Sequence, residues 1–149
     1  DDVESRGLGD VYKRQIQADQ IKEVEKVNTE KLYFIDAVPY SSIFPYVRGV
    51  VHHGGCTTNG LSLLYGCPTL VIPLALDQYF YGRMDNRLGA GPAPLYIRKK
   101  LCTTEQIESA LLDLVSGQYD EAAREISAKM QRENGVVCAA DAIEKYVRG

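Results

Sequence analysis

Apolar positions in this chain come in short unbroken runs separated by stretches of helical period, and the two kinds alternate. Leu32-Tyr33-Phe34-Ile35, Gly49-Val50-Val51-His52 and Thr69-Leu70-Val71-Ile72-Pro73-Leu74 lack the in–out alternation of a half-exposed strand. They read as short strands, the third covered on both faces. Between them, Asn59 to Tyr65 and Tyr79 to Leu88 read as helices, closed by Gly66 and Gly89 in the C′ position. Ser41 or Ser42 is placed to cap a short helix over 43–47, with Pro45 in its first turn. Pro94-Leu95-Tyr96-Ile97 reads as a fourth, edge-like strand, and Gln17 to Asn28 as a polar helix or loop. In the last third, Thr103 and Gln106 have capping-box spacing. Ile107, Ala110, Leu111 and Leu114 then share one face up to a stop at Gly117. Asp120 to Asn134 and Val136 to Val147 form two more helices, parted by Gly135.

Strands alternating with helices predict an α/β fold with a parallel sheet and flanking helices, followed by C-terminal helices. In such sheets ligands lie beyond the carboxyl ends of the strands. Two polar sequences occupy such ends: His53-Gly54-Gly55-Cys56-Thr57-Thr58-Asn59 after the second strand and Asp77-Gln78 after the third. They are therefore expected to face one cleft. Residues 1–15 follow neither period, and Gly7 to Gln15 resembles translated sequencing-adapter read-through; this segment is expected to be non-native or disordered. Its Gly7-Leu8-Gly9 has no preceding strand and no third glycine, so it is not a dinucleotide fingerprint. Residues 16–149 are then one partial domain.

Composition adds exclusions. The 149 residues are 45% hydrophobic and 25% charged, with a net charge of −3. That mild acidity, with tyrosines scattered rather than clustered, gives no footprint for nucleic acid. No apolar run reaches the roughly 20 residues that span a bilayer, and no secretory signal is visible. Cys56, Cys67, Cys102 and Cys138 form no CxxC pair, which reads as reduced cytoplasmic thiols, with Cys56 and Cys67 as small buried residues. His52 and His53 are neighbours on a strand and point to opposite faces, so they make no metal site; His52 is read as structural.

The turn after the second strand carries the chemistry. Glycine lets the backbone approach a ligand closely. The free N–H groups and positive dipole end of the following helix favour phosphate, and His53 adds a donor. The reading from residues alone is diphosphate binding.

Taken in order, Val38-Pro39, Ile43-Phe44-Pro45, Val50-Val51-His52-His53-Gly54-Gly55, Gly66-x-Pro68-Thr69, Ile72-Pro73, Asp77-Gln78-x-Phe80-x-Gly82 and Leu88-Gly89-x-Gly91-Pro92 resemble the donor-binding half of UDP-dependent glycosyltransferases of the two-Rossmann-domain, GT-B type. Within that group the likeness is to the sterol 3-beta-glucosyltransferase-like branch, over roughly Leu32 to Val115. The resemblance implies an incomplete Rossmann-like GT-B C-terminal domain. His53 would contact the donor diphosphate, Gly54, Gly55, Cys56 and Thr57 would offer backbone N–H groups, and Thr58 its hydroxyl. Asp77 and Gln78 would bind the hydroxyls of the transferred sugar, and Ile35 to Val38 would line the uracil pocket. The implied partners are a UDP-sugar donor and a lipophilic acceptor such as a sterol, with no cofactor and no metal. Such an acceptor is compatible with peripheral membrane contact.

Departures from the family pattern are local. Cys56-Thr57-Thr58-Asn59 stands where this branch has Ala-Gly-Thr-Thr, and the Thr57 side chain narrows the approach to phosphate. Leu61 and Ile35 stand where plant relatives carry an acidic ribose ligand and a uracil-stacking tryptophan, and Tyr79 and Tyr81 replace a proline and a tryptophan near the sugar. The family's acceptor site and catalytic histidine belong to an N-terminal domain, and both histidines here sit in the donor turn, so no catalytic residue is assigned. The family's C-terminal domain also begins with two strands before the one matching Leu32–Ile35. Losing about five inward side chains at ~2 kcal/mol each rivals the ~5–15 kcal/mol stability of a typical domain. The expectation is a truncated reading frame, inactive and marginally stable alone. The alternatives left open are another GT-B sugar-nucleotide enzyme (an N-acetylglucosaminyl transferase or an epimerase) and a non-catalytic nucleotide-sugar-binding module.

Overall fold

The computed structural model describes residues 38–97 and 102–148. The anticipated strand at Leu32–Ile35, the Gln17–Asn28 segment, the adapter-like stretch and Ile35, expected to line a uracil pocket, lie outside the described residues.

Two consecutive 3₁₀ turns, Tyr40–Ser42 and Phe44–Tyr46, replace the short capped helix. Neither serine caps: the first turn follows Pro39 and the second follows Ile43, with no side-chain cap at either. Pro45 does sit in the opening turn, as its missing N–H permits. Phe44 is buried, stacked on Tyr40 at 4.8 Å and edge-on to Tyr65 at 6.3 Å between ring centroids.

The centre is a β–α–β unit. Strand β1 (Val50–His52) runs parallel to β2 (Thr69–Val71), with Val50, Val51 and His52 opposite Thr69, Leu70 and Val71. Helix α1 (Cys56–Leu64) connects them. All three β2 residues are buried, in accord with its unalternating apolar run. The strand ends sooner than its apolar run because Pro73 has no N–H for a ladder.

Helix α2 (Gln78–Arg87) follows β2. Both α1 and α2 end in the same motif. Gly66 and Gly89 take positive φ of 68° and 70°. Cys67 N–H and Gly66 N–H close on Ser62 and Leu63 carbonyls, as Ala90 and Gly89 N–H do on Asp85 and Asn86. The expected fourth strand is absent: residues 92–97 form no strand. The segment does run beside β2, with Ala90 carbonyl accepting from Thr69 N–H and Leu95 N–H donating to Val71 carbonyl. Pro92 and Pro94 lack the N–H groups that a regular ladder needs.

Helix α3 (Thr104–Leu114) begins with the capping box expected of Thr103 and Gln106. It presses Ala110 and Leu114 on Leu70, with Leu95 alongside. Ile107 is only half-buried on that face and Leu111 is 40% exposed, so the buried stripe is narrower than its spacing suggested. Helix α4 (Asp120–Met130) packs on α1, where Ser127 Oγ donates to Leu64 carbonyl at 2.6 Å. Helix α5 (Gly135–Arg148) buries none of its described residues. Among the described residues, no helix is long and apolar enough to cross a membrane.

Candidate functional site

The turn from β1 into α1 is built around glycine geometry. Gly54 has φ of +92°, and a Cβ there would sit 2.7 Å from Val71 Cγ1 and 3.1 Å from Gln78 carbonyl oxygen. The first fact demands glycine; the second shows the turn pressed on the start of α2. The two polar sequences at the strand ends therefore lie against each other.

Helix α1 starts at Cys56, three residues earlier than its apolar period suggested, because Cys56, Thr57 and Thr58 carry no apolar signal. Its N-cap is Gly55, which supplies no side-chain acceptor. The first intrahelical bond runs from Asn59 N–H to Gly55 carbonyl at 2.9 Å. The N–H groups of Cys56, Thr57 and Thr58 consequently point out of the helix end with no place in its ladder. No charge on α1 itself opposes an anion there.

His53 is exposed, and its ring overhangs this helix end: a Cβ on Gly55 would lie 2.7 Å from His53 Nε2. Gly55 thus leaves the room that the imidazole occupies. His52 faces the other way and is half-buried. Its Nδ1 accepts from Gly54 N–H at 2.9 Å and its Nε2 lies 2.7 Å from Thr69 Oγ1. Burial, reinforced by neighbouring His53, pushes its pKa down to about 4. A neutral ring accepting at Nδ1 must carry its hydrogen at Nε2, which then donates to Thr69. His52 is structural, as read, but its role has a consequence for Gly54. The Gly54 N–H, expected to offer itself to phosphate, is engaged by His52 here, and the residue shapes the turn.

At the second corner, Asp77 is the N-cap of α2, yet its carboxylate makes no capping bond and is exposed. Gln78 behaves differently. Its Oε1 accepts from Leu74 N–H at 2.8 Å and Ala75 N–H at 2.9 Å, leaving only its Nε2–H groups for another partner. Just before Asp77, Leu76 holds a positive φ of 50° and is 89% exposed. That conformation is uncommon for leucine and marks a constrained loop. Val38 lies in irregular backbone before the first 3₁₀ turn, half-exposed, and no described hydrogen bond ties it to either corner.

Some features escaped sequence reasoning. Cys56 is exposed, not buried, since helix position N1 faces solvent here; Cys67 is buried, and its thiol lies 3.0 Å from Phe44 carbonyl. Asn59 and Asp85 form a buried polar pair between α1 and α2. The only prior signal was Asn59 standing where the resembled branch has threonine. A groove of about 400 Å³ along α3, lined by Leu95, Tyr96, Cys102, Gln106 and Asp113, holds none of the corner residues.

Residues 12–144 match the family model described as Erythromycin biosynthesis protein CIII-like, C-terminal domain. The terpene cyclase-glycosyl transferase fusion protein fsoA of Humicola fuscoatra is 37% identical over 123 residues, covering 76% of this chain and 9% of its own. Sterol 3-beta-glucosyltransferase UGT80B1 of Arabidopsis thaliana is 30% identical over 118 residues, covering 79% of this chain and 19% of its own. Among solved structures, the spinosyn forosaminyltransferase SpnP superposes with a TM-score of 0.69 at 19% identity, over 79% of this chain and 31% of that one. The glycotransferase of kitacinnamycin gives 0.63 at 25% identity, over 73% and 28%. The chain spans 9% and 19% of the length of these two curated relatives.

Proposed function

The chain belongs to the family of erythromycin biosynthesis protein CIII-like C-terminal domains, a GT-B glycosyltransferase family, and from that premise we propose that it is the donor-binding part of a UDP-dependent hexosyltransferase. The observation that carries the reading is the packing of Gly54 on Gln78, which sets an open helix N-terminus beside an uncommitted carboxylate. A nucleotide sugar needs both, a diphosphate cradle and a reader of sugar hydroxyls, within one molecule's length.

Each residue has a distinct part. The N–H groups of Cys56, Thr57 and Thr58 and the Thr58 hydroxyl receive phosphate oxygens, and His53 adds a ring donor from above. Asp77 accepts from sugar hydroxyls while Gln78 donates through Nε2, its oxygen being held by the loop. As the glycosidic bond breaks, negative charge grows on the departing diphosphate, where these fixed donors already point. Each charge-assisted bond is worth ~1.5–3 kcal/mol, so several together hold the nucleotide. His52 is too buried and too fully bonded to act as base, and the base that activates the acceptor is assigned to a separate domain. Sterol 3-beta-glucosyltransferases among the relatives support glucose as the sugar and a sterol-like hydroxyl as acceptor.

Titration of the ¹⁵N-labelled chain with UDP tests this. The amides of Cys56, Thr57 and Thr58 are expected to shift with UDP and to stay in place with uridine, which lacks the diphosphate. UDP-glucose is expected to add shifts at Asp77 and Gln78 that UDP alone does not produce. A folded chain whose Cys56–Thr58 amides ignore UDP would overturn the proposal.

A further inference from the structure

Asn59 and Asp85 are 2% and 1% exposed and are joined by a bond from Asn59 Nδ2 to Asp85 Oδ1 of 3.2 Å. The amide oxygen of Asn59, Oδ1, and the other carboxylate oxygen of Asp85, Oδ2, are buried without a partner. A carboxylate can only accept, and a carboxamide oxygen likewise, so the ionised pair leaves two acceptors stranded in a site where each costs stability. One proton cures both. A carboxylic acid and a carboxamide are complementary, each giving one hydrogen and taking one.

We infer that Asn59 and Asp85 form a proton-dependent clasp between α1 and α2. With Asp85 protonated, its Oδ2–H donates to Asn59 Oδ1 while Asn59 Nδ2–H remains on Asp85 Oδ1; ionisation removes the first bond and keeps the second. Burial raises the Asp85 pKa to about 6, against the lowering effect of its bond from Asn59.

The charged surroundings leave the proton to burial. Helix α1 contributes no charged side chain, Cys56 at its exposed end being its only titratable group, and β2 contributes none. On α2 itself, Arg83 and Arg87 are exposed. From β1 the nearest titratable group is His52, already bonded to Thr69 and Gly54. The clasp joins the helix whose first turn offers N–H groups to the helix that begins at Asp77-Gln78. Asp85 is therefore a positioning residue, and its bearing on donor geometry rests on the function proposed above.

The test compares the full 149-residue chain with Asp85→Asn, melting each from pH 4.5 to 7.5. An amide at 85 closes the same ring with Asn59 at every pH. The sign follows from the raised pKa: the contribution of Asp85 is complete below its ordinary value of 3.8 and is lost as pH rises through about 6. His52 acts oppositely over part of this window, so the difference between variant and parent carries the result. The variant is expected to gain on the parent by on the order of 5–10 °C between the two ends. An offset constant with pH overturns the clasp. Should the variant fail to fold, the unmodified chain suffices: the Asp85 carboxyl ¹³C and the Asn59 side-chain amide protons are expected to titrate together near pH 6. An Asn59 amide unmoved by the Asp85 titration overturns it as well. Neither readout uses nucleotide, so failure of UDP to bind would remove the donor reading and leave the clasp standing.

Discussion

The two strand-to-helix corners of this molecule are built by opposite means. Where β1 enters α1, the helix start is left open: Gly55 offers no side chain as a cap, and the N–H groups of Cys56, Thr57 and Thr58 precede the first ladder bond. Where β2 enters α2, the backbone closes on itself. Gln78 N–H donates to Ala75 carbonyl, Phe80 N–H to Asp77 carbonyl, and the Gln78 side chain ties down Leu74 and Ala75. The first corner can therefore bind through main chain, as suits a phosphate with many equivalent oxygens. The second leaves side chains to offer, chiefly Asp77, which in the proposed function suits a sugar whose hydroxyls differ in position. In the proposed function, one corner reads charge and the other reads shape.

The contrast is sharpest where the corners touch. Gly54→Ala forces a side chain into φ of +92° and against Val71 and the Gln78 backbone. It is expected to cost about 2–4 kcal/mol in urea unfolding. A loss under ~0.5 kcal/mol, the size of an ordinary surface change, would mean that the corners are not packed as one unit. Acid isolates the first corner. The His52 pKa is depressed to about 4 from 6.5, so the unfolded chain takes up the proton first. In Asp85→Asn, where the opposing carboxyl is gone, stability is expected to be complete above pH 6.5 and to fall as pH drops toward 4, by about 1–3 kcal/mol. His52→Gln in that background should flatten the slope; an unchanged slope would detach His52 from the effect. Gln78→Ala isolates the second corner. It is expected to cost about 1 kcal/mol and to speed hydrogen exchange at Leu74 and Ala75 while leaving Cys56–Thr58 as they were. Equal acceleration at both corners would blur the distinction between them.

What was legible beforehand follows the range of the interactions. Gly66 and Gly89 announce helix ends because the C′ position selects glycine within a few residues, and Thr103 with Gln106 announces a start for the same local reason. The unalternating run at Thr69–Val71 reports burial on both faces. The positions of His53 and Asp77-Gln78 at strand ends were also legible, because a parallel sheet puts such ends on one side. Other features depend on partners far along the chain. That His52 takes the Gly54 N–H needs the turn's geometry, and that Asn59 meets Asp85 needs the crossing of two helices, 26 residues apart in sequence. Pro94–Ile97 shows the converse: an apolar run with strand residues, yet Pro92 and Pro94 leave it with a single backbone bond to β2, from Leu95, instead of a ladder.

The contact between Gly54 and Gln78 also limits how this scaffold can be redesigned. Lengthening or shortening the loop over 74–77 shifts Gln78, and through it the glycine turn that it supports. Insertions there cannot be confined to one subsite. If the proposed function holds, side-chain exchange at Asp77, Tyr79 and Tyr81, on a backbone of fixed length, is the route by which a variant would change its sugar and keep its grip on the diphosphate.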